Sequence, residues 1–327
     1  MRVYADHEMP PEIERLYRRA VRLEWWTLAY LVSAVALMGL VLGQSQAMKA
    51  AWVEDLLSLL PPIAFLVASR FRERGASQRF PYGFHRVVSA AYLIASFALL
   101  VMGALLFADS ASRLVTRERP SIGLVEVFGQ QVWLGWPMIA ALVWSAVPAV
   151  VLGRVKLPMA AELHDKVLHA DAQMNRADWM TAVAAIIGVL GIGAGLWWAD
   201  AVAAVVISLD ITRDGFRNVE AAFADLIDRI PTSPGEQEPL QVIEEVEQHV
   251  RSLAWVREAE LRLREHGHLI TGEVYVVPEE AGTLLPRLVQ EAMADLQRLD
   301  WRLREVVLVL LPELHDEHGS LPRRGSR

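Results

Sequence analysis

Long uncharged apolar runs alternate with short charged stretches over the first part of the chain, and a mixed, polar pattern replaces them near residue 230. Trp25 to Met48, Val87 to Ala108, Val127 to Gly153 and Trp179 to Ala199 carry no charged residue. Each exceeds the roughly 18 apolar residues that a membrane-crossing helix needs. Leu56 to Ser69 is shorter and reaches spanning length only if Glu54 and Asp55 lie inside the helix. Ala201 to Leu209 continues through Asp210, Arg213, Asp214 and Arg217, whose spacing of three or four gathers them on one polar face. The pattern predicts an α-helical membrane protein with six transmembrane helices.

The later pattern predicts a small α+β unit. Pro231-Thr-Ser-Pro-Gly235 reads as a linker. Val242, Ile243, Val246 and Val250 have helical spacing. Glu258 to Arg264 alternates, with Ala259, Leu261 and Leu263 on one face. His266-Gly267-His268 reads as a hairpin turn, Leu269 to Val277 as a second strand, Leu284 to Leu296 as a helix, and Val306 to Leu311 as a third strand. The order α-β-β-α-β suits helices laid on a sheet. The expected organisation is a charged N-terminal lead-in at 1–23, a membrane domain at 24–226, a linker at 227–239, the α+β domain at 240–312, and a polar disordered tail at 313–327. No internal repeat is visible.

Composition narrows the chemistry. Cysteine is absent, which excludes disulfides, thiolate metal sites and cysteine nucleophiles. The net charge of −7 and the lack of a basic patch argue against nucleic acid. Neither H-E-x-x-H nor G-x-S-x-G occurs, so a non-enzymatic protein is expected. Asp6, Glu8, Glu12 and Glu14 make the N-terminus unlike a secretory leader, and the first span is expected to act as its own signal. Lys and Arg in the segments flanking the spans number 14 on one side and 4 on the other, so both termini are expected in the cytoplasm.

The strongest chemical signal is acidic residues beside apolar runs. Carboxylates at bilayer depth are costly and mark ion paths. Glu54 and Ser58 share one helical face, with Asp55 about 100° away. Pro61 and Pro62 lack N–H groups, which leaves the Leu57 and Ser58 carbonyls without helical donors and available to a hard cation, although the prolines by themselves read first as a kink for packing. Asp171, Met174 and Asp178 form one stripe, with Asn175 beside it. Asp171 and Asn175 also suit interfacial capping of the helix. His164, Asp165 and His169 precede this stripe and read as a solvated interfacial face. Gly191 to Gly195 permits close helix packing.

In order and spacing, several segments together resemble the cation diffusion facilitator family: Gly43-Gln-Ser-Gln-Ala47 through Ser58, Arg79-Phe-Pro-Tyr-Gly-Phe-His-Arg86, His169-Ala-Asp-Ala172 through Asp178-Trp-Met-Thr181, Trp198-Ala-Asp200 and Asp225-Leu-Ile-Asp228. The resemblance implies a six-span exporter of divalent transition metals with a cytoplasmic metallochaperone-like domain, a homodimeric state and proton antiport. By position, the family's transport ligands fall on Glu54, Ser58, Met174 and Asp178. Ser58 and Met174 depart from the usual His or Asp, and Asp55, Asp171 and Asn175 stand near enough to substitute. Zinc, manganese, iron and cobalt are all open as the cargo. His249, His266 and His268 fall where the family often holds a regulatory metal. A non-transporting member that senses metal or scaffolds other proteins is the alternative.

Overall fold

The structure is a computed structural model that describes residues 9–41, 52, 55–72, 74, 78–80, 82–117, 124–127, 130–133, 135–193, 198–235, 238–279 and 285–314. Two compact units emerge, one over residues 10–227 and one from residue 228 onward.

The first unit is a helical bundle. Helix α1 (Pro11–Val41) opens with Pro11 at its first position and Glu12 and Glu14 in its first turn, residues that suit a helix N-terminus. From residue 11 onward, the lead-in and the first span are therefore one continuous rod. Next come α2 (Leu60–Arg72) and α3 (Arg86–Thr116). A hairpin follows, β1 (Leu124–Val127) paired antiparallel with β2 (Gln130–Trp133). The remaining helices are α4 (Gly135–Leu163), α5 (Lys166–Gly193) and α6 (Ala199–Leu226).

Two boundaries differ from the hydrophobic pattern. The fourth apolar run does not become helical at Val127. Val125, Val127 and Val132 are β-branched and the Gln130-Gln131 pair interrupts the run, so a hairpin forms and the helix begins at Gly135. The fifth helix starts at Lys166, which puts Asp171 to Asp178 well inside it. Among the described residues, three helical stretches are long and apolar enough to cross a membrane: Pro11–Gly39, Arg86–Thr116 and Gly135–Leu163. Helices α5 and α6 have the length, at 28 residues each, but carry charged positions. Helix α2, with 13 residues, is short by itself.

Packing in this unit relies on small residues. Buried Ala20, Ala95, Ala160, Ala170 and Ala222 let helices approach around Phe65, Tyr92, Leu163 and Leu168. Helices α3 and α6 are closest. A Cβ at Gly103 would lie 2.7 Å from the Thr212 backbone nitrogen, and one at Gly215 would lie 2.6 Å from the Leu100 backbone. Neither helix could hold this separation with a larger residue there. Large apolar side chains such as Phe97, Val206 and Phe216 point outward, as a lipid-facing surface requires.

The second unit holds α7 (Gln241–Ser252), β3 (Val256–His266), β4 (Leu269–Pro278), α8 (Leu285–Leu299) and β5 (Leu303–Leu310). The sheet order is β3-β4-β5, with β3 antiparallel and β5 parallel to β4. Alternation sets the register: Ala259 faces Val276, and Leu263 faces Gly272. Val246, Val250, Ile270, Val274, Leu296 and Leu303 fill the core. Gly272, at φ +148°, brings β4 so close that a Cβ would meet the Arg262 carbonyl oxygen. The segment expected as a linker is folded from Asp228. Leu240 N donates to the Pro231 carbonyl at 3.0 Å, and Arg229 Nη2 donates to the buried Thr232 Oγ1 at 2.8 Å.

Candidate metal centre

Helix α5 supplies most of the predicted residues. His164 turns the chain with φ +52°, and Asp165 Oδ1 accepts from Leu168 N at 2.9 Å. Asp165 thus caps the helix, a task the sequence had offered to Asp171 and Asn175. His164 and Asp165 are buried, at 6% and 1% exposure, rather than solvated as expected. They close the α4–α5 turn.

Ser58 sits in the turn just before α2, where Pro61 and Pro62 interrupt the hydrogen-bond ladder that Ile63 N resumes with the Leu59 carbonyl at 3.2 Å. Its hydroxyl donates to Asp178 Oδ1 at 2.7 Å, and both residues are buried. The turn before α2 and helix α5 therefore meet at two of the predicted site residues. Asp55 is half-buried, and its Oδ2 is buried without a hydrogen-bond partner among the described residues. The Tyr30 hydroxyl of α1 donates to the Ser145 carbonyl of α4. Glu54 lies outside the described residues.

The other predicted residues take different surroundings. Met174 is buried in an apolar cluster with Leu99, Met102 and Ile211. Asp171 accepts from Lys156 Nζ of α4, and the same ammonium lies 3.1 Å from the Glu24 carboxylate of α1. All three side chains are sealed, at 0% exposure for Lys156 and Glu24 and 1% for Asp171. Asn175 Nδ2 donates to the Asp171 carbonyl at 2.8 Å. Among the described residues, no three His, Asp or Glu side chains converge as a ready-made metal cage.

Sequence reasoning missed Glu24 and Lys156. Arg22 and Arg154 stand nearby and suggested solvated segments, yet Val155, Leu157 and Pro158 around Lys156 were a signal for burial. It also missed the buried ion pair between Lys166 Nζ and Asp225 Oδ2, at 2.7 Å, which ties α5 to α6. His266 and His268, beside Gly267 at φ +66°, are buried rather than displayed at a hairpin tip.

Comparison with known proteins adds to this geometry. The model of the cation efflux transmembrane domain matches residues 25–227. The chain is 25% identical over 186 residues to Manganese efflux system protein MneS of Bacillus subtilis (strain 168), covering 57% of this chain and 60% of that protein. It is 26% identical over 207 residues to Uncharacterized transporter YdbO of the same organism, covering 60% and 65%. A shorter match, 27% over 90 residues, is to Uncharacterized transporter MJ0449 of Methanocaldococcus jannaschii, covering 28% and 32%. The chain spans less than two thirds of the length of each of these relatives.

Proposed function

We propose that this chain, which belongs to the cation efflux family, exports a divalent transition metal from the cytoplasm in exchange for protons. The observation that carries the reading is the buried Ser58–Asp178 contact, which brings an oxygen ligand from the turn before α2 against one from α5. Glu54 and Asp178 supply the charge. Ser58 orients Asp178, and Asp55 stands by with a buried oxygen that has no hydrogen-bond partner among the described residues. Met174 belongs to the apolar packing around this site. The donors left are carboxylates, a hydroxyl and the Leu57 and Ser58 carbonyls, a hard set that suits manganese better than zinc. The relative named as a manganese efflux protein points the same way.

Exchange follows from the chemistry of the ligands. A carboxylate must lose its proton to bind metal, so a proton arriving at the same oxygens displaces the ion. Six spans, cytoplasmic termini and a homodimer complete the reading, and no catalytic step is assigned.

The test is manganese uptake into proteoliposomes containing the purified protein, with an internal pH indicator. Wild type is expected to carry manganese with opposing proton movement. Glu54→Gln and Asp178→Asn are expected to abolish the flux while remaining folded and membrane-inserted. Manganese binding without flux by wild type would instead select a sensing or scaffolding member. Normal transport by the Glu54→Gln, Asp178→Asn double variant would remove the carboxylate site.

A further inference from the structure

Lys156 Nζ marks a point, sealed from solvent, where carboxylate oxygens from two helices converge. Glu24 of α1 lies 3.1 Å away, and Asp171 of α5 is in direct contact. One further oxygen in this region, Asn175 Oδ1, lacks a hydrogen-bond partner among the described residues, while both Glu24 carboxylate oxygens lie 3.1 Å from Lys156 Nζ. Asn175 is 2% exposed, and its amide group lies against the Asp171 carboxylate, with Nδ2 3.5 Å from Oδ2. Two carboxylates and a carbonyl oxygen form a hard donor set for a divalent cation. An ammonium carries only three donors for the oxygens gathered around it.

We propose that Glu24, Asp171 and Asn175 form a second cation site, distinct from the one at Ser58 and Asp178, that Lys156 keeps closed as a tethered resident cation. The lysine supplies the charge the carboxylates require and excludes metal from them. It acts as a specificity device: an ion entering along α5 finds Asp171 occupied and is passed to Asp178, seven residues and about 10 Å further along the helix. Metal binding at the second site is measurable on purified protein, so its outcome is independent of whether the chain exports metal.

The experiment is manganese binding by equilibrium dialysis and spin resonance on the purified full chain in lipid nanodiscs, in an Asp178→Asn background that silences the first site. Adding Lys156→Ala is expected to create one manganese site per chain, at least tenfold tighter than in the background alone. Adding Glu24→Gln or Asp171→Asn should remove it. Equal binding with and without Lys156 would overturn the proposal. If Lys156→Ala folds poorly, manganese is expected to raise its melting temperature, and not that of Lys156→Ala, Asp171→Asn. Failure of manganese to do so, while a Lys156→Met, Glu24→Gln, Asp171→Asn variant folds, would reduce the triad to a structural ion cluster and overturn the proposal.

Discussion

At the scale of single residues, the Ser58 hydroxyl has a definite task. It donates to Asp178 Oδ1 and so fixes which carboxylate oxygen remains for a cation. Ser58→Ala is expected to weaken manganese binding about tenfold, or roughly 1.4 kcal/mol, measured by titration of the purified protein. Met174→Leu should be nearly silent, because one apolar side chain of similar volume replaces another in a closed cluster. Lys156→Met in the otherwise unchanged protein strands two buried carboxylates. It is expected to cost roughly 3–5 kcal/mol of stability, recovered when Glu24 and Asp171 are made neutral with it; denaturant melts of wild type and the two variants check this. The proximity of Ser58 and Asp178 was legible only through the family resemblance, which placed both among the ligands of one site, whereas spacing grouped residues within each helix. The partnership of Asp171 with Lys156 was not legible. Pairing across 15 residues through an interhelical turn leaves no periodic trace, and charges near a turn look solvated until the helices around them are placed.

At the scale of elements, periodicity was informative wherever a face is buried on one side only. The alternation of Ala259, Leu261 and Leu263 and the spacing of Val242, Val246 and Val250 located β3 and α7. Element ends were less legible. Helix α1 begins in a charged segment, and the hairpin of β1 and β2 hides in a run that hydropathy alone assigns to a span. Close contacts were the least legible. Gly191 and Gly195 advertised a packing motif, of which Gly195 lies outside the described residues; the tightest approach between two helices among the described glycines is at Gly103 and Gly215, on different helices and with no shared spacing. Gly215→Val, and equally Gly103→Val, is expected to force α3 and α6 apart and cut the yield of folded protein severely, as read by fluorescence-detected gel filtration. Val at either position puts branched atoms where the facing backbone already lies, an overpacking that costs typically 1–3 kcal/mol or more.

At the scale of the whole molecule, the two units make separate demands. A fragment covering residues 239–312 contains every strand and helix of the second unit. It is expected to give a folded dichroism spectrum and a cooperative melt, and a random-coil spectrum would remove its standing as a domain. The orientation proposed for the first unit rests on the basic bias, in which Lys156 is a buried member and Arg176 lies within α5 beside Asp210, at 3.1 Å. Reporter fusions at Gly75 and Thr232 are expected to read as cytoplasmic and one at Ser121 as external; an external Thr232 would sink the six-span arrangement. The glycine seam has a mechanical corollary. Where neither helix has room for a methyl group, sliding one against the other would drive backbone into backbone. Under the proposed export, helices α3 and α6 are expected to move as a single plank, with any rocking between that plank and the helices that carry the carboxylates, which requires the Lys166–Asp225 pair between α5 and α6 to open. The native absence of cysteine makes this easy to interrogate: a disulfide bolted across the seam should leave turnover untouched, whereas one bolting the plank to α5 should freeze it.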